Sequence, residues 1–115
     1  MARIIETVWG WDDLPGRTVE GGYPTGQFLE WISNFNSLEN DAFEFLEFIM
    51  DKWWAGDMGC KIGRKNKEGQ KKVYVSTLGW SGNESMIYAL IDNFPFWSVH
   101  YFSHQRGGHY TFIFE

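Results

Sequence analysis

Two aromatic runs, FWSVHYFSH at 96–104 and HYTFIFE at 109–115, stand on either side of Gln105-Arg106-Gly107-Gly108. Aromatic and β-branched side chains fit the pleat of a strand, and a glycine pair supplies the positive φ of a tight hairpin turn. The pattern predicts a C-terminal antiparallel hairpin, and so a sheet on which the rest of the chain must pack. Alternation puts His100, Phe102 and His104 on one face of the first strand and His109, Thr111 and Ile113 on one face of the second. His104 and His109 then come out as approximate cross-strand neighbours, with Arg106 at the turn and Tyr110 just beyond it. The glycines alone satisfy the turn, so the arginine and histidines around them need a separate account.

Upstream, KVYVSTLGW alternates over 73–78 as a strand, and Ser81-Gly82-Asn83-Glu84 opens a helix of about ten residues. Ile87, Leu90, Ile91 and Phe94 form its expected core stripe. Asn93-Phe94-Pro95 ends it, because proline disfavours helical geometry in the residue before it. A longer helix is expected from Leu38 to Trp54 with Ser37 as N-cap, closed by Gly56 and Gly59. On it Asn40, Glu44, Glu47 and Asp51 recur at spacings of four, three and four, forming a polar stripe opposite an apolar majority. QFLEWISNF at 27–35 reads as a short helix, residues 2–9 as an opening strand, and 10–26 as turns. The fold class is therefore α+β. It comprises a small antiparallel sheet of about four strands, with one long and one or two short helices packed on it.

A length of 115 residues suits one domain over 1–115, and aromatics at 19% supply much of the burial. The single cysteine, Cys60, excludes an internal disulfide and points to a reducing compartment. The N-terminus lacks a signal-peptide core, and no run is apolar enough to span a membrane, so a cytoplasmic protein with no membrane partner is expected. The net charge is −5, with eleven acidic against three basic residues over 1–60 and four against seven over 61–115. An acidic total argues against general affinity for nucleic acid. The basic segment KIGRKNKEGQKK at 61–72 reads as a solvated loop or as an arm that contacts phosphate or an acidic partner.

The order of strand, STLGWSGNE, helix and SHQRGGHY resembles a group of small bacteriophage and prophage proteins. Their shared pattern is T-G-G-W-S-x-N-E followed by S-R-R-G-G-H-Y before a final aromatic strand. The resemblance covers 73–114. Leu78 stands where the pattern has its first glycine, and Gln105 where it often has its first arginine. It implies a phage or prophage accessory protein working inside an infected or lysogenic bacterium, and it implies no particular reaction.

Candidate chemistry falls into three classes. In the first, Glu44, Glu47 and Asp51 are an acidic docking face for a host or anti-phage defence protein. In the second, the helix N-terminus at Trp80, Ser81, Asn83 and Glu84, together with His104, Arg106, His109 and Tyr110, captures a small anionic ligand such as a nucleotide. In the third, an enzyme uses that same pocket, with His104, His109 and Glu84 as acid–base groups. Ser81 lacks the G-x-S-x-G elbow and Cys60 has no adjacent histidine, so binding is preferred to turnover. No cofactor is expected. Three histidines without ligand spacing give no metal site.

Overall fold

The computed structural model describes residues 8–115; the expected strand at 2–9 falls almost wholly outside them. Within that range Trp9 makes a single parallel bridge to Phe35. A short 3-10 turn at Trp11–Asp13 and the two-residue strands β1 (Val19–Glu20) and β2 (Tyr23–Pro24) lead into α1 (Gly26–Asn34). Thr25 caps α1 by accepting from the Phe28 N–H at 3.1 Å, which satisfies one donor of the first turn. Phe28, Trp31 and Ile32 face inward.

The long helix is shorter than the sequence predicts. It is α2, Ala42–Asp51, and its cap is Asp41, whose carboxylate accepts from the N–H groups of Phe43 and Glu44. Asn36 accounts for the difference. Its Oδ1 accepts from Leu38 and Glu39 N–H and holds the chain in a turn before the helix begins. Ser37 is buried there, and its hydroxyl has no partner among the described residues. At the other end Lys52 caps α2, and Trp53 turns inward to donate its indole N–H to the Ser76 carbonyl at 2.8 Å. A single turn, α3 (Gly56–Gly59), leads into β3 (Cys60–Ile62), which pairs with β4 (Lys71–Ser76).

The chain then forms α4 (Ser81–Asp92), α5 (Phe94–His100), β5 (Tyr101–Gln105) and β6 (His109–Phe114). The segment FWSVH, expected as strand, is α5. Asn93 accepts from the Phe96 N–H and Pro95 sits in the first turn, an arrangement that starts a helix at the point where proline ends the previous one. The core stripe of α4 also differs, since Ile91 is 41% and Phe94 73% exposed. The inward positions are 83, 86, 87 and 90, a helical stripe that begins with the polar Asn83, which a search for apolar spacing passes over.

The four-stranded sheet is antiparallel throughout, in the order β3-β4-β6-β5, so its fourth strand comes from the start of the basic segment. In β5 a register shift between Tyr101 and Ser103 leaves Phe102 without a partner, and His104 faces Tyr110 while Gln105 faces His109. His104 and His109 are therefore offset by one residue. Val73, Val75, Phe112 and Phe114 line the inner face and join Trp31, Phe35, Phe45, Ile49, Leu90 and Phe96 in one cluster. At its centre the rings of Phe35 and Phe45 stack at 4.2 Å, and Trp31 satisfies its indole by donating to the Gly10 carbonyl. Among the described residues no helix is long and apolar enough to cross a membrane.

Candidate functional site

The GWSGNE turn begins where β4 ends. Leu78 and Gly79 both take positive φ, and the Trp80 N–H returns to the Thr77 carbonyl at 3.0 Å. Trp80 occupies the N-cap position of α4 without a side-chain cap, and its ring lies between Tyr23 at 4.8 Å and Trp54 at 4.9 Å. Its indole N–H is buried without a partner among the described residues. Gly82 makes this packing possible, since a Cβ there would come within 2.9 Å of the indole nitrogen. Tyr23 and Trp54 lie far from Trp80 in the chain, and no local pattern marks either as its neighbour.

Asn83 is buried, and its amide is engaged within the fold. Its Oδ1 accepts from the Trp54 N–H at 3.0 Å, and its Nδ2 donates to the carbonyls of Trp54 and Thr77, each at 3.2 Å. Ser81 is exposed in the first turn, and its carbonyl accepts from the Ser85 hydroxyl. Glu84 and Tyr110 do come together, with Thr77, Tyr88 and Gly108, around a gap of about 20 Å³. That volume suits a single water, not a nucleotide. Burial raises the pKa of the Tyr110 phenol, and Tyr88, Glu84 and Tyr101 add to the shift.

The hairpin disposes its polar residues on two sides. His104 stacks on Tyr110 at 5.4 Å and shares a 2.7 Å hydrogen bond with the Tyr101 hydroxyl. His109 projects from the opposite face, where its Nδ1 pairs with the Ser76 hydroxyl at 2.7 Å. The Ser76–His109 couple resembles a nucleophile and its base, but it lies within the continuous β4–β6 ladder, whose backbone donors serve the sheet. Arg106 is exposed at the turn and forms no ion pair with Glu84 or Asp92. Asp92 instead borders a groove of about 520 Å³ between α1 and α4, together with Glu30.

The acidic residues of α2 form a separate surface. Glu44, Glu47 and Asp51 are exposed while Phe45, Leu46 and Ile49 on the other side are buried. Beside them runs an open groove of about 360 Å³, lined by Glu47, Met50, Asp51, Gly56, Cys60, Lys61 and Ile62. Its apolar lining is Met50 from α2 with Cys60 and Ile62 from the edge strand β3. Asp51 is partly neutralised by Lys52 at 3.4 Å, whereas Glu44 and Glu47 have no ion pair among the described residues. Burial pushes the Cys60 pKa up to about 12, so the thiol stays protonated and is a poor nucleophile. The chain matches no protein-family model, no curated protein and no solved structure.

Proposed function

We propose that the protein acts by binding, as a small accessory protein of the bacteriophage or prophage kind. It engages a basic surface of a host or anti-phage defence protein in the bacterial cytoplasm and thereby inhibits or redirects that protein. The observation that carries this reading is the exposed row Glu44, Glu47 and Asp51 beside the Met50, Cys60 and Ile62 groove. Carboxylates beside an apolar lining suit a partner segment that offers cations around one or two apolar side chains, and they speed its approach. The likeness of 73–114 to the phage pattern supports the setting.

Capture of a small anion at Trp80–Glu84 and Arg106 is the weaker reading. The gap that Glu84 and Tyr110 share holds about 20 Å³, and the carboxylate of Glu84 would repel an anion there.

The test is affinity capture from bacterial lysate followed by reconstitution with the purified partner. The wild-type protein should bind in a salt-sensitive manner. The triple change Glu44→Lys, Glu47→Lys and Asp51→Lys should abolish binding while the far-UV spectrum stays unchanged, and Arg106→Ala should bind as wild type. Full retention of the partner by the triple variant would remove the α2 face from consideration.

A further inference from the structure

Among the described residues the helices cover one face of the four-stranded sheet and leave the other bare. On the bare face Lys61 stands beside Tyr74, Lys72 beside Ile113 and Ser76 beside His109, as the register of β3, β4 and β6 requires. Tyr74 is 41% and Phe102 52% exposed, whereas Val73, Val75 and Phe112 on the inner face are almost fully buried. The Lys72 ammonium stands 4.6 Å from the centre of the Phe102 ring, so a cation and an aromatic plane share one position. Gly63 places no side chain against the ring of Tyr74, where a Cβ would lie 3.4 Å from Cε2. A shallow groove of about 360 Å³ crosses this face and is bordered by Tyr74, Ser76, Gln105, His109 and Thr111.

Cations predominate on this side, with Asp41 and Glu115 near Lys65 at one end of the sheet. Strands β3 to β6 contain no aspartate or glutamate. The β3–β4 loop extends the positive field with Arg64, Lys65 and Lys67 against Glu68 alone, and Arg106 lies at the opposite end of the sheet. Lys71 belongs to the inner side, over Phe43 at 4.2 Å. Most of the carboxylates behind the net charge of −5 are carried by the helices and their caps.

We propose that this bare sheet face binds single-stranded nucleic acid. Its bases would stack on Tyr74 and Phe102, and its phosphates would meet Lys61, Lys72, Arg106 and the β3–β4 loop. Exposed aromatic planes interleaved with cations on an open sheet are what a splayed single strand requires, because every base has a π-face and every linkage a charge. Ser76, Gln105, His109 and Thr111 add hydrogen-bonding groups at the level of the base edges. An acidic polypeptide would meet the same cations but has no bases to stack on the rings. The site adjoins the acidic α2 face at Lys61, which also lines the groove beside Glu47 and Asp51, and its other contacts lie away from that face.

Fluorescence anisotropy of the full chain with short labelled oligothymidylate and oligouridylate tests the proposal. Binding should weaken steeply as salt rises, because phosphate contacts release counterions. Lys61→Glu with Lys72→Glu, and separately Tyr74→Ala, should each weaken it about fivefold or more, and Tyr74→Phe should keep it within about twofold. All three positions changed are at least partly exposed, and unchanged melting temperatures would confirm folding. The proposal is overturned if no probe binds at about 100 µM protein in low salt, the weak limit of non-specific affinity. It is equally overturned if Tyr74→Ala binds like wild type, if duplex DNA of the same length binds as well as the single strand, or if polyglutamate displaces the probe as effectively as unlabelled oligonucleotide.

Discussion

Thr77 and Gly108 approach so closely across the β4–β6 end that a side chain at position 108 would run into the Thr77 Oγ1. The Thr77 N–H donates to the Gly108 carbonyl at 3.0 Å, which joins the hairpin turn to the start of the GWSGNE segment. The double glycine thus has two causes. Gly107 and Gly108 both hold positive φ, but only Gly108 also lies against a buried neighbour. Gly108→Ala should therefore cost about 2–5 kcal/mol, combining left-handed strain with overpacking, and Gly107→Ala about 1–2 kcal/mol. Urea titration of the two variants checks the order, and equal losses would mean that Thr77 yields without cost.

Asn83 holds the backbone of Trp54 and the carbonyl of Thr77 from inside the fold. Replacing it with alanine leaves a half-buried N–H and two carbonyls without these partners and should cost about 2–4 kcal/mol. Ser81→Ala, on the exposed side of the same turn, should change stability by no more than about 0.5 kcal/mol. Thermal or chemical denaturation separates the two, and a mild Asn83→Ala would show that water replaces the amide.

Leu78 adopts φ +56, a left-handed conformation that favours glycine. The left-handed conformation costs a non-glycine residue about 1–2 kcal/mol, and glycine costs about 0.5–1 kcal/mol in chain entropy. Leu78→Gly should leave stability unchanged or raise it by up to about 1 kcal/mol, as read from the denaturation midpoint. A loss larger than that would mean that the contacts of the leucine side chain near Gly59 outweigh the strain.

His100 stacks on Phe114 at 4.4 Å, and its Nδ1 donates to the Ile113 carbonyl at 3.0 Å. Burial lowers its pKa, and the hydrogen bond opposes part of that shift. The unfolded chain binds the proton more readily, so this contribution to stability is complete above about pH 6.5 and declines as the pH falls through the folded value. His100→Phe keeps the ring and removes the proton site. Its melting temperature should change less than that of the wild type between about pH 7.5 and 5.5, and parallel curves would refute the assignment.

Elements defined by local chemistry were legible in the chain itself. Thr77 to Asn83 reads as a strand running through a glycine turn into a helix, QFLEWISNF as a short helix, and Gly107-Gly108 as a hairpin turn, because φ preference and side-chain period act over a few residues. The same local reading failed where two signals competed. Ser37 looked like a cap, but Asn36 holds the turn before it, and FWSVH had strand composition but follows an asparagine cap and Pro95.

By itself the sequence determined the α+β class, the acidic stripe of α2, the glycine turn at the hairpin and the start of the helix at Ser81. Only the tertiary structure decided that Asn83 is an internal clamp, that Trp80 lies between Tyr23 and Trp54, and that Lys61 and Lys72 border a sheet face whose strands carry no carboxylate. The physical reason is range. Caps, turns and amphipathic periods join residues a few positions apart, whereas burial and the sign of a local field depend on residues brought together from distant parts of the chain, and no short window of sequence contains both partners.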